Sequence, residues 1–179
     1  MNIFQKNIQK PGFVFAYPTE AVYGLGCNPF DEKALDRIRT LKQRAANQHF
    51  ILIASNWEQI TPLIQSLEES LLEPVKASWP GPITWVFPAA SNIPETLKTF
   101  NTIALRLTAH PIAKKLCDIA GHALVSTSAN ISGHPPCRTA QETQHIFGAQ
   151  LDQIIPGNVD LSQNPTPIRD VLTGEWLRR

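Results

Sequence analysis

Phe13-Val14-Phe15-Ala16-Tyr17-Pro18-Thr19-Glu20-Ala21-Val22-Tyr23-Gly24-Leu25-Gly26-Cys27 is the stretch that decides the fold. Its first five residues are apolar and rich in β-formers, which is the pattern of a buried strand. Pro18 stops that strand, because proline has no N–H to give to the ladder. Thr19 and Glu20 are polar. Gly24 and Gly26 allow a tight turn or the close approach of a ligand to the backbone. Open α/β sheets bind ligands where a strand runs out into such a loop. Taken alone, the stretch fits a plain strand-to-loop connection equally well.

Working outward, Asn2 to Gln9 reads as a short helix with Ile3, Phe4 and Ile8 facing inward. Downstream, Asp31 is a helix N-cap, and Ala34, Leu35, Ile38 and Leu41 recur at helical spacing. Lys42 and Arg44 close that helix, where cations suit its C-terminal dipole. They equally suit a polyphosphate, Arg as a fork and Lys as a point charge. Phe50 to Ala54 is a second buried strand. Ser55 or Asn56 caps a further helix carrying Ile60, Leu63, Ile64 and Leu67. Ser78-Trp79-Pro80-Gly81-Pro82 is a rigid turn before the strand Ile83 to Phe87. Trp79 and Trp85 suit apolar packing, although either could stack on a base.

Thr102 to Leu107 is another strand with one charge, Arg106, inside an apolar run. A buried arginine needs a carboxylate or phosphate partner, either internal or from a substrate. His110 and Pro111 open a helix that Gly121 stops. Ala123 to Val125 is a short strand leading into Ser126-Thr127-Ser128-Ala129-Asn130-Ile131-Ser132-Gly133. Such a set of small donors binds phosphate or carboxylate oxygens, or caps its own turns. Thr139 and Glu142 form a capping box. Gln153 to Ile155 is a strand, Asn158 to Pro167 a polar loop, and Ile168 to Arg178 a closing hairpin about Thr173-Gly174. The alternation predicts an α/β or α+β domain, a twisted mixed sheet flanked by helices. If the polar strand ends at Thr19, Lys42, Arg44, Arg106, Ser126 to Asn130 and Thr166 converge, they form one cleft.

The chain has 179 residues, 42% hydrophobic and 17% charged, and is read as one globular domain spanning residues 1–179. A net charge of +1 argues against a broad nucleic-acid-binding face. Three widely spaced cysteines form neither a disulfide framework nor a zinc pattern. With no signal-peptide core and no apolar run long enough to cross a bilayer, the expectation is a reduced, cytoplasmic protein with no membrane association. A phosphate-binding P-loop is absent. Gly24-Leu25-Gly26 is followed by Pro29 where the dinucleotide fingerprint needs glycine, and no G-x-S-x-G elbow appears.

Together these stretches resemble the YrdC/TsaC family, the threonylcarbamoyl-AMP synthases, in their short bacterial form. The matching pieces are Pro18 to Gly26, Leu41-Lys42-Gln43-Arg44, Trp79-Pro80-Gly81-Pro82-Ile83-Thr84, Leu105-Arg106-Leu107 with His110-Pro111, Ser126 to Gly133, and Ile168-Arg169-Asp170. They occur in the family's order over nearly the whole chain. The resemblance implies a twisted mixed sheet around one concave basic cavity. It implies that L-threonine, bicarbonate or CO2, and ATP give L-threonylcarbamoyl-adenylate and pyrophosphate. That product feeds N6-threonylcarbamoyladenosine formation at position 37 of tRNA, through downstream threonylcarbamoyl transferase machinery.

By resemblance, Lys42 and Arg44 contact the ATP phosphates. Ser128 and Asn130 add neutral donors to the nucleotide, and Ser126 lies close to both substrates. Lys42, Arg44 and Ser128 form the catalytic set. Thr19 and Arg106 hold threonine, Arg106 through the carboxylate. Thr166 (threonine) and Arg178 (ATP) align with late positions that close over the substrates. Mg²⁺ is expected to travel with ATP, with no metal cage in the protein. The chain departs from the family after Arg44, where Ala45-Ala46-Asn47-Gln48-His49 lacks the usual Pro and Lys. Gln48 removes a further phosphate contact there, which would weaken ATP binding. Two other readings fit less well. One is a non-catalytic module binding double-stranded RNA or tRNA. The other is a hydrolase of a carbamoyl-phosphate-like or adenylated compound.

Overall fold

The structure, a computed structural model, describes residues 3–44, 50–160 and 166–178. The opening segment folds as a hairpin: β1 (Phe15–Pro18) turns through residues 19–22 into β2 (Tyr23–Gly26). Pro18 does end β1, but Gly24 and Gly26 lie within a strand and not in a loop. The reason is local. Thr19 N–H and Thr19 Oγ1 both donate to Val22 O, at 3.0 and 2.7 Å, so the chain reverses in four residues. Gly26 is required because a Cβ there would lie 2.7 Å from the Tyr17 ring and 2.9 Å from that of Phe15.

The remaining strands are β3 (Ile51–Ala54), β4 (Thr84–Pro88), β5 (Thr102–Leu107), β6 (Leu124–Ser128), β7 (Gln153–Ile154), β8 (Ile168–Asp170) and β9 (Trp176–Arg178). They make one mixed sheet in the order β7-β1-β2-β6-β3-β5-β4-β8-β9. The β3/β5, β1/β7 and β4/β8 pairs are parallel, and the others are antiparallel.

Helices α1 (Ile3–Asn7), α2 (Glu32–Lys42), α3 (Glu69–Ser78), α4 (Pro111–Ala120) and α5 (Ala140–Phe147) cover the sheet. On one face α2 and α5 bury Ala34, Leu35, Ile38 and Phe147 against Leu25, Leu52, Leu105 and Val125. On the other, α1 and α4 bury Phe4, Ile8, Leu116 and Cys117 against Phe15, Tyr17, Ile53 and Leu124. Ile53 pairs with Arg106, and Ile51 pairs with Ser126. Paired residues share a face, so the face bearing α1 and α4 also presents Arg106 and Ser126.

The caps form as read. Asp31 accepts from Ala34 N, His110 from Ala113 N, and Thr139 from Glu142 N, while Gly121 ends α4 at φ 78°. Two expectations need correcting, and one helix was not foreseen. Ile3 is exposed, because the five-residue α1 buries only Phe4 and Ile8 follows beyond its end. The segment from Asn56 forms two 3-10 turns, Trp57–Gln59 and Thr61–Leu63, with Pro62 early in the second. Residues before Ser78 form α3, with Pro74 inside it. Pro74 is the sixth residue of the helix, where local propensity alone predicts a break.

Candidate active site

The face that presents Arg106 and Ser126 opens into a cavity of about 480 Å³, within the range of small-molecule sites. Thr19, Lys42, Arg44 and Arg106 line it, as do Ser126, Ser128, Asn130, Thr166 and Arg178. The sequence candidates, spread over the chain, therefore meet in one place. Gly24 belongs to the wall: a Cβ there would press to 3.3 Å from Thr19 and 3.6 Å from Ser126 Oγ.

One end of the cavity is built by α2 and the loop after β6. Lys42 is buried in the last turn of α2. Its ammonium donates to Ser128 O, to Asn130 O at 3.0 Å and to Asn130 Oδ1 at 3.1 Å. Ser132 N in turn donates to Lys42 O, 2.8 Å, which satisfies one of the carbonyls a helix end leaves open. Ser128 Oγ donates to Asn130 Oδ1 at 2.6 Å, and the Asn130 amide donates to Ile131 O and His134 O. The sequence reading made Asn130 a donor to the nucleotide. In the structure its amide hydrogens are turned inward onto its own loop, so Asn130 shapes the Ser126–Gly133 segment. Burial first, and the like charge of Arg44 second, bring Lys42 down to about 8. Arg44 donates to Thr127 Oγ1 at 3.2 Å and lies over the Phe50 ring, 5.4 Å from its centre. Burial and the neighbouring Arg39 lower its pKa as well.

The other end is built by β5, β4 and the closing hairpin. Arg106 is buried, and its partner is internal: Glu20 Oε2 accepts from Arg106 Nη1 at 2.6 Å. Glu20 Oε1 accepts from Thr108 Oγ1 at 2.8 Å and Ala109 N at 3.2 Å. Burial alone would raise the Glu20 carboxyl, but the Arg106 charge and these hydrogen bonds outweigh it and hold Glu20 below the usual carboxylate range. Arg178 donates to Thr166 O at 2.6 Å across the β8/β9 hairpin. Two residues were not singled out from sequence. Glu20 stands 86 positions from Arg106, and the requirement for a carboxylate near Arg106 was legible, but not which one. Thr84 also lines the cavity. Its only signal was its place at the start of a strand.

The described lining residues carry four cations, Lys42, Arg44, Arg106 and Arg178, and no carboxylate. Among the described residues no group of three or more His, Cys, Asp or Glu side chains could hold a metal ion. The lining therefore suits anions. Across the sheet, β6 and β5 are separated by β3 alone. That puts Ser126 and Arg106 two strand spacings apart across the sheet, roughly 10 Å, with Ser128 further along β6. The cavity can thus hold one anion at each end with reacting groups between. The segment 45–49, where the sequence departs from the family pattern, lies outside the described residues, as do residues 161–165 of the polar loop.

A model of the Sua5/YciO/YrdC family, described as telomere recombination, matches residues 7–179. The threonylcarbamoyl-AMP synthase of Coxiella burnetii (strain RSA 493 / Nine Mile phase I) is 46% identical over 170 residues, 94% of this chain and 91% of the relative. That of Escherichia coli O1:K1 / APEC is 47% identical over 169 residues, 93% of this chain and 88% of the relative. The crystal structure of P. abyssi Sua5 complexed with L-threonine superposes with a TM-score of 0.85 at 34% identity. It covers 94% of this chain, which spans about half, 49%, of that longer one. The order of motifs, the mixed sheet with its basic cavity and these matches agree: the chain belongs to the Sua5/YciO/YrdC family.

Proposed function

We propose that this protein makes L-threonylcarbamoyl-adenylate from L-threonine, bicarbonate or CO2, and ATP, releasing pyrophosphate. The observation that carries this reading is a single cavity with Lys42 and Arg44 beside the hydroxyls of Ser126 and Ser128 at one end and Arg106 at the other. The relatives named threonylcarbamoyl-AMP synthase, and the Sua5 structure with L-threonine, support the same assignment.

In this reading the triphosphate lies toward Lys42 and Arg44, Arg178 closes over the nucleotide from the β8/β9 hairpin, and the threonine carboxylate lies at Arg106, whose guanidinium Glu20 holds on one edge. The neutral threonine amine adds to CO2 and gives up one proton to water, leaving a carbamate. A carbamate oxygen then attacks the α-phosphorus, and pyrophosphate leaves. Charge grows on the phosphoryl oxygens, so fixed cations and the donors near Ser126 and Ser128 do most of the work. The carbamate is itself the nucleophile, so no side chain need remove a proton in that step. With no carboxylate among the described lining residues, Mg²⁺ is assigned to the triphosphate and its waters, and no step is routed through it.

The product is a mixed anhydride, reactive toward amines and water, which favours direct transfer to the enzyme that modifies tRNA. We place the reaction in the cytoplasm, with the tRNA. No described helix is long and apolar enough to cross a membrane. Four cations converge inside the cavity, which fits a small polyanion better than an RNA duplex.

Pyrophosphate release from ATP, measured with each substrate omitted in turn, tests the proposal. Release that needs ATP, L-threonine and bicarbonate together is expected. Release unaffected by omitting threonine would overturn it, as would salt-dependent tRNA binding with no such turnover.

A further inference from the structure

Thr84 is fully buried, and its Oγ1 has no hydrogen-bond partner. It nevertheless lines the cavity. A buried hydroxyl without a partner is costly and uncommon in folded proteins. Three other lining hydroxyls are engaged: Thr19 with Val22 O, Thr127 with Arg44, and Ser128 with Asn130. Position adds to this. Trp85 pairs with Leu105 in the antiparallel β4/β5 ladder. The next step of that register sets Thr84 opposite Arg106, and Gly81 N still donates to Leu107 O beyond it. Opposed residues have Cβ atoms about 5 Å apart on one face. On its other side Thr84 N donates to Pro167 O, 3.0 Å, beside Thr166.

We infer that Thr84 recognises the side-chain hydroxyl of the amino-acid substrate and so contributes to the choice of L-threonine. This rests on the function proposed above. With the carboxylate on Arg106, the substrate's β-hydroxyl lies only a few bond lengths away, and Thr84 is the hydroxyl that the β4/β5 register sets opposite Arg106. A carboxylate is already served there by a cation. A hydroxyl needs a neutral partner that both donates and accepts, and Thr84 Oγ1 has both capacities unspent. A site built to bond a hydroxyl discriminates strongly against the analogue lacking it, because its own polar group is then left unpaired.

The test uses Thr84→Val, which keeps the shape and removes the hydroxyl, and Thr84→Ser, which keeps the hydroxyl. The kcat/KM for threonine-dependent pyrophosphate release is compared with that for L-2-aminobutyrate, which is threonine without its hydroxyl. Thr84→Val should lose about tenfold with L-threonine while L-2-aminobutyrate changes by less than about twofold. Thr84→Ser should restore the preference. Without ligand, Thr84→Val should melt no lower than the parent, since it removes an unpaired polar group from the interior. An equal fall with both amino acids, or no change with either, overturns the inference. Calorimetric titration with L-threonine alone supplies a second arm: unchanged affinity in Thr84→Val also overturns it. Failure of the parent protein to release pyrophosphate with all substrates present is the separate failure of the proposed function.

Discussion

Removing the guanidinium of Arg106 separates a structural role from a functional one, because Arg106 is half of a buried ion pair with Glu20. The two side chains are 5% and 13% exposed, and the charged atoms lie 2.6 Å apart. Arg106→Met leaves a carboxylate buried without its cation, which costs about 3–5 kcal/mol. For a chain of this length that lowers the melting temperature by roughly 6–20 °C.

The companion variant Glu20→Gln/Arg106→Met removes both charges, and replacing a buried pair by neutral groups is close to neutral. Most of the lost stability should therefore return. Threonine use should not return, since both variants lack the charge-assisted contact, worth about 1.5–3 kcal/mol, or about 10- to 150-fold in apparent affinity. The assays are thermal melting and the KM for L-threonine, with the KM for ATP as internal control. Normal threonine use by the double variant would refute the reasoning and leave Arg106 as nothing more than the partner of Glu20.

The pair also sets an acid dependence. The Glu20 pKa is lowered in the fold, so its contribution is complete above the unfolded value of about 4.3. It is lost as pH falls through the lower folded value. The double variant should lack that acid limb.

Arg44→Ala should raise the KM for ATP by about 10- to 150-fold and leave that for threonine nearly unchanged; an unaltered ATP dependence would exclude Arg44 from the phosphate site. Lys42 is lowered to about 8, so the free enzyme should lose ATP affinity as pH rises through that value. The KM for ATP measured from pH 7 to 9.5 should show this inflection, and its persistence in Lys42→Arg would show that another group titrates. Lysine's unfolded pKa is higher, so the unfolded chain binds more protons in this window and stability itself should rise with pH there. Ser128→Ala should cut turnover by up to about tenfold with the circular dichroism spectrum unchanged. Full turnover would return that hydroxyl to shaping its loop through Asn130.

Local signals were the ones that the sequence carried well. Asp31, His110 with Pro111, Gly121 and Thr139 mark helix ends because capping depends on residues three or four positions apart. The hairpin Ile168–Arg178 was legible for the same reason. Gly24 and Gly26 were read into a loop but lie in β2, and the rings that require Gly26 to be glycine, Phe15 and Tyr17, act across the hairpin. Helix α3 was missed because Pro74 is a breaker on propensity alone, and the burial of Val75 that helps to hold the helix is tertiary.

The site divides along the same line. By itself the sequence singled out residues that the fold brings to one cavity: two cations at the end of α2, one arginine in an apolar strand, and a run of small hydroxyls. Residue type and motif order suffice for that. Only the tertiary structure decided that Glu20 answers Arg106, that Lys42 ties the 126–133 loop to α2, and that Thr84 is buried with its hydroxyl unpaired beside Arg106. The sheet order β6-β3-β5-β4 joins strands distant in sequence. Contacts made across such a ladder follow from pairing register and burial, which no local pattern encodes.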